Sequence, residues 1–170
     1  EHRMRQLAAI ALAAVLSLAL AGCGYRPLYG TVAGSNNGTV VQKLADISIE
    51  EQPTRAGQLV RNELISTMGG GGSHYLLKLT LNENNNAVAS IKNTLVKRHR
   101  YTINIGYQLI DSSTGKQVAG GRSFSNTDYD EIREPVADMQ AFENARERAA
   151  REVAQDLRIR LSAFFASKNS

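Results

Sequence analysis

The sequence has no tryptophan, only three prolines and one cysteine, and 6% of its residues are aromatic. A single cysteine excludes an internal disulfide framework, and with three scattered histidines no spacing for a structural zinc site exists. Few aromatics, and basic residues spread over both halves, leave neither a concentrated phosphate-binding stripe nor a stacking platform, which argues against nucleic acid as a partner. The formal net charge is +4. No apolar run reaches the roughly 20 residues a helix needs to cross ~30 Å of hydrocarbon. At 170 residues the chain fits one folded domain.

What is present begins with Met4-Arg5 and an uncharged stretch from Leu7 to Leu20 rich in Leu, Ala, Ile and Val. A positive start and a short apolar core read as a signal peptide that is removed. The stretch ends in Leu20-Ala21-Gly22-Cys23, which resembles the bacterial lipobox: small residues before a cysteine that takes diacylglycerol and an N-acyl chain. Each buried acyl methylene contributes about 0.8 kcal/mol, so several chains on Cys23 hold the protein to a bilayer. Gly24 stands where enterobacterial lipoproteins kept in the inner membrane have aspartate, which favours the outer membrane. Residues 1–22, including Glu1-His2-Arg3 ahead of Met4, are therefore left out of the fold, and what remains carries 18 basic against 15 acidic residues.

Residues 23–39 read as a lipidated N-terminus and flexible tether, with Gly-Ser-Asn-Asn-Gly-Thr at 34–39 lacking any apolar periodicity. A single domain is expected over 40–166 and a disordered tail over 167–170. Ala45, Ile47 and Ile49 alternate with polar residues as in a half-buried strand. Val60, Leu64 and Met68 fall four apart on an amphipathic helix, with Thr54 as N-cap and Gly69 to Gly72 ending it. A second strand runs from Tyr75 into the polar tract Asn82–Asn86. A third shows Tyr101, Ile103, Ile105, Tyr107 and Leu109 on one side, reaching back through Lys97 towards Val88. Asp111 to Lys116 has hairpin-turn chemistry, and Gln117 to Ser125 returns as a fourth strand. Phe142, Ala145, Ala149, Val153, Leu157, Leu161 and Phe164 mark one long helix over about 136–165, with Glu147–Arg151 and Asp156–Arg160 as i,i+4 pairs. The fold class expected is α+β: a two-layer sandwich in the order β-α-β-β-β-α, two helices on one face of a four-stranded, mostly antiparallel sheet. The other face, with Thr102, Asn104 and Gln108 beside Leu76 and Ile110, is a candidate docking surface.

In this order and spacing the sequence resembles the lipopolysaccharide-assembly lipoprotein family LptE, in particular its alphaproteobacterial branch. The residues that carry the likeness are Cys23-Gly-Tyr-Arg-Pro-Leu-Tyr29 after the lipobox, Arg55–Ser66 on the first helix, Tyr107–Lys116 at the hairpin, and the alanine-rich, charged last helix. The resemblance implies a role without catalysis. Such proteins plug the large outer-membrane barrel LptD from its periplasmic side, support its assembly, and help lipopolysaccharide reach the outer leaflet. A second reading, from the lipobox alone, is a free-standing envelope lipoprotein that scaffolds periplasmic or cell-wall proteins and has no barrel partner.

Lys97-Arg98-His99-Arg100, with Lys92 upstream, is the densest positive run. Lipid A carries phosphates, and Lys92, Lys97, Arg98 and Arg100 are the candidate lipopolysaccharide contacts through charge-assisted hydrogen bonds. Strand alternation allows at most about half of the run to face one ligand. Met68-Gly-Gly-Gly-Gly-Ser73 lacks the lysine of a phosphate loop and follows a helix, so it reads as a connection. No Ser, His and Asp arrangement surrounds His74 or His99, so no catalytic residue is assigned. Asp128, Asp130, Glu131 and Glu134 lack the ligand spacing of a calcium loop and are read as an acidic lead into the last helix. No metal or cofactor is expected beyond the lipid on Cys23.

Overall fold

The computed structural model describes residues 37–90 and 97–168. Among these, three helices and four strands follow one another as α1 (Asn37–Ala45), β1 (Ile47–Ile49), α2 (Arg55–Met68), β2 (Tyr75–Ser90), β3 (Lys97–Asp111), β4 (Gln117–Asp130) and α3 (Pro135–Ser167). The sheet order is β1-β2-β3-β4, with β1 parallel to β2 and the other pairs antiparallel. This is the expected α+β architecture, with β1, α2 and β2 forming the crossover that parallel neighbours require.

The alternation in β3 decides which layer is which. Tyr101, Ile103, Ile105, Tyr107 and Leu109 are buried, and in register with them Leu77 and Leu79 of β2 point the same way. Helix α3 lies across β3 and β4 and against α2, which touches β2 more lightly. Val60 and Leu64 of α2 and Val153, Leu157 and Leu161 of α3 close over the strands, forming a core in which these residues have no exposed surface. Ala145, Ala149, Ala150 and Ala154 on α3 are also buried, and their short side chains let the helix lie close to the sheet.

Local signals work as the sequence suggests at α2. The Thr54 hydroxyl accepts from the Gly57 amide at 3.1 Å, and Gly69, at φ 94°, takes the left-handed conformation of a C-cap. The four-glycine run is more than slack chain: a Cβ at Gly72 would overlap the Asp46 backbone just before β1. At the hairpin, the Asp111 carboxylate accepts from the Ser113 amide at 2.9 Å.

Several boundaries differ. Asn37–Ala45 is a helix, so the last residues assigned to the tether form its first turn. Leu44 is buried in the core and Val40 packs partly against it, too few residues to show as periodicity. Strand β2 continues through the asparagine tract to Ser90, because Asn82 to Asn86 pair with Asn104 to Arg100 and a long partner overrides low strand propensity. Strand β4 runs on to Asp130 for the same reason. On α3, Phe165 rather than Phe164 is fully buried, four residues after Leu161, and its ring meets Tyr75 at 5.2 Å. Asp156 and Arg160 close an ion pair at 2.6 Å; Glu147 and Arg151 do not close one.

Candidate functional site on the open face of the sheet

Cys23 and Lys92 lie outside the described residues. Lys97, Arg98 and Arg100 open β3, at the end of the sheet remote from β1. Alternation places Arg98 and Arg100 on the open face and turns Lys97 and His99 to the helical side. Each cation has an anionic neighbour within the chain. Arg98 forks onto Asp130 at 2.8 and 3.3 Å, and Arg100 onto Asp128 at 2.7 and 2.9 Å. Lys97 and His99 share Glu131, at 3.7 and 2.9 Å. Hydrogen bonding from Arg100 and Arg98 holds the Asp128 and Asp130 carboxyls below the usual carboxylate range.

The acidic stretch read as a lead into the last helix is thus mainly the cross-strand partner of the basic run. Hairpin geometry could have exposed this: counting outward from the turn at 112–116 brings Arg98 opposite Asp130 and Arg100 opposite Asp128. The signal lies in two separate runs that meet only when the hairpin is folded.

Behind the basic end, on the helical side, a partly enclosed polar cluster ties three elements together. The Tyr101 hydroxyl donates to Glu83 at 2.5 Å, and burial first, then that bond, raises its pKa well above the ordinary phenol value. Arg146 of α3 binds Glu143 at 2.6 Å, approaches Glu83 at 3.7 Å, and lies 4.4 Å from the Phe142 ring centroid. Its side chain is only 16% exposed. Nearby along α3, the edge strand is held by hydroxyls: Ser123 donates to Asp156 at 2.6 Å and Ser125 to Glu152 at 2.5 Å.

The open face itself is polar, and its middle is hollow. Side by side across β2, β3 and β4 stand Thr80, Gly106 and Arg122, and next to them Asn82, Asn104 and Phe124. These six line a shallow depression of about 580 Å³. Phe124 is 67% exposed. Farther along, the Thr102 hydroxyl donates to the Asn126 side-chain oxygen at 2.8 Å. At the start of α3, Val136 and Met139 are also exposed, three residues apart on one helical face. Among the described residues no group of three metal-ligating side chains converges, and no helix is long and apolar enough to cross a membrane.

A family model described as LptE, lipopolysaccharide-assembly, matches residues 41–161. The chain belongs to the LptE family. No curated protein matches the sequence significantly. Among solved structures, a candidate lipoprotein of Caulobacter crescentus CB15 is similar at 24% identity and a TM-score of 0.65, covering 76% of this chain and 97% of that one. A minor lipoprotein of Acinetobacter baumannii is 10% identical with a TM-score of 0.51, covering 69% and 88%. Rare lipoprotein B of Shewanella oneidensis is 14% identical with a TM-score of 0.50, covering 73% and 94%. At these identities the likeness is one of fold. The LptE match covers the crossover unit, the three long strands and most of α3, the parts that build both the core and the open face.

Proposed function

We propose that this LptE-family chain is a non-catalytic component of the machinery that carries lipopolysaccharide to the outer leaflet of the outer membrane. In this reading it is anchored through lipid on Cys23 and docks from the periplasmic side in the lumen of an LptD-like β-barrel, whose assembly it supports. The observation that carries the proposal is the family match over residues 41–161. The surface supports it: one sheet face is uncovered and polar, and the exposed Val136 and Met139 offer apolar contact outside the core.

Lys92, Lys97, Arg98 and Arg100 remain the proposed contacts for lipopolysaccharide phosphates. For Arg98 and Arg100 such contact means exchanging Asp130 and Asp128 for phosphate oxygens, which accept the same forked guanidinium bonds. Since the carboxylates leave and the phosphates arrive at exposed positions, the exchange is governed by relative charge and by salt.

The test is gentle detergent extraction of the tagged chain from its own envelope, with mass spectrometry of what co-purifies. A large β-barrel in near-stoichiometric amount is the expected result. Recovery of the lipidated, folded chain without a barrel overturns the barrel partnership and leaves the free-standing scaffold as the better account.

A further inference from the structure

The open face carries four described cations on its strands, and they are not equivalent. Arg98 and Arg100 are matched by aspartates, whereas Lys78 and Arg122 have no ion-pair or side-chain hydrogen-bond partner among the described residues. Arg122 lines the depression and Lys78 sits one rung outside the Thr80–Gly106–Arg122 row, with their backbones roughly 12 Å apart from strand spacing and rise.

Gly106 forms the floor of that depression, in the middle of the central strand β3. Glycine weakens a strand interior and is kept there for a bulge, a tight bend or the close approach of another group. The pairing is regular across Gly106 on both sides, and its φ is not positive. A Cβ there would meet nothing nearer than the Thr80 carbonyl oxygen at 3.9 Å. Nothing within the described fold accounts for the missing side chain. A ligand approaching the sheet does.

The walls state what kind of ligand. Asn82 and Asn104 stand directly opposite each other, and each amide presents a donor beside an acceptor, which suits adjacent sugar hydroxyls. Phe124 offers an exposed ring on which the apolar side of a sugar can rest. Arg122 and Lys78 supply free charge for a phosphate or carboxylate. The depression itself is a poor seat for protein side chains, since Phe124 is the one exposed large apolar side chain in its lining, whereas protein interfaces centre on apolar groups. Two free cations and one aromatic ring are also too few for a nucleic-acid strand.

We infer that the depression around Gly106 is a binding site for an acidic saccharide, namely the phosphorylated or carboxylated sugars of lipopolysaccharide. Arg122 and Lys78 hold its anionic groups, Asn82 and Asn104 its hydroxyls, and Phe124 its ring. The site is separate from the basic run at the strand end, and it rests on the reading that lipopolysaccharide is this protein's cargo.

The test uses the full chain in mild detergent and a water-soluble phosphorylated oligosaccharide made by complete deacylation of lipopolysaccharide. Calorimetry and backbone amide shifts read its binding, with maltoheptaose and inorganic phosphate as separate probes. The phosphorylated oligosaccharide is expected to move the amides of Asn82, Asn104, Gly106 and Phe124. Gly106→Val, which suits a strand and fills the floor, is expected to weaken binding at least about tenfold without lowering the melting temperature. Arg122→Gln is expected to weaken it while Arg151→Gln, at an exposed position on α3 in the other layer, leaves it nearly unchanged. Binding that is indifferent to both Gly106→Val and Arg122→Gln, or shifts reproduced by inorganic phosphate alone, overturns the inference. A co-purifying barrel with no saccharide binding here removes this site but not the proposed function; saccharide binding sensitive to Gly106→Val with no barrel does the reverse.

Discussion

The two ends of strand β3 are held by different physics. From Tyr101 to Leu109 alternate side chains are buried under α2 and α3, and the strand is fixed by apolar burial. From Lys97 to Arg100 the same strand is fixed by charge, rung by rung, against Asp128, Asp130 and Glu131. Apolar burial is not weakened by ionic screening and is hard to exchange. Exposed ion pairs are salt-sensitive and can trade partners. The apolar half therefore specifies the fold, and the charged half adds exposed, exchangeable contacts at the strand end.

The contrast breaks most visibly in the core. Leu157→Ala removes a side chain with no exposed surface at the meeting of α3 with the sheet, and is expected to cost about 2–5 kcal/mol, read by urea unfolding. Arg146→Ala, at the boundary between the two halves, leaves Glu83 and Glu143 without their shared cation and strips the Phe142 ring of its partner. Because these carboxylates keep some contact with water, a loss of roughly 1–3 kcal/mol is expected, below that of a sealed ion pair. Asp128→Asn with Asp130→Asn is expected to leave the urea midpoint nearly unchanged, since exposed pairs are worth little. The same double change frees Arg98 and Arg100, so affinity for lipopolysaccharide in low salt is expected to rise.

The smallest effect concerns pH. Asp128 and Asp130 are held below the ordinary carboxylate value, near 3.9, chiefly by hydrogen bonds from Arg100 and Arg98. A folded-state pKa below the unfolded one gives a contribution fully present above the unfolded value and lost as pH falls through the folded value. The charged end is thus intact at neutral pH and opens only in acid below about pH 4. Carbon NMR titration of the two carboxyls, with midpoints below those of exposed aspartates, checks the direction.

The apolar half was readable in the sequence and the charged half only in pieces. Period-two alternation from Tyr101 to Leu109 and the α3 stripe gave both layers, since burial imposes a repeat that survives in one dimension. Thr54 and Gly69 were readable because caps depend on adjacent residues. Helix α1 was missed because it contributes few core contacts, and the far reach of β2 because asparagines hide a strand whose stability comes from its partner. The pairing of Arg98 with Asp130 spans 32 residues and emerges only once the hairpin register is drawn. The depression around Gly106 was least visible of all. It is assembled from three strands, and its defining feature is a side chain that is not there.

The role proposed for the chain is service to lipopolysaccharide transport without catalysis. The most direct measurement is controlled depletion of the chain in its own cells, followed by the fraction of newly made lipopolysaccharide that reaches the cell surface. A fall in that fraction, restored by the intact chain and not by a Cys23→Ala form lacking its anchor, is the expected result. Unchanged delivery to the surface after full depletion would contradict the account.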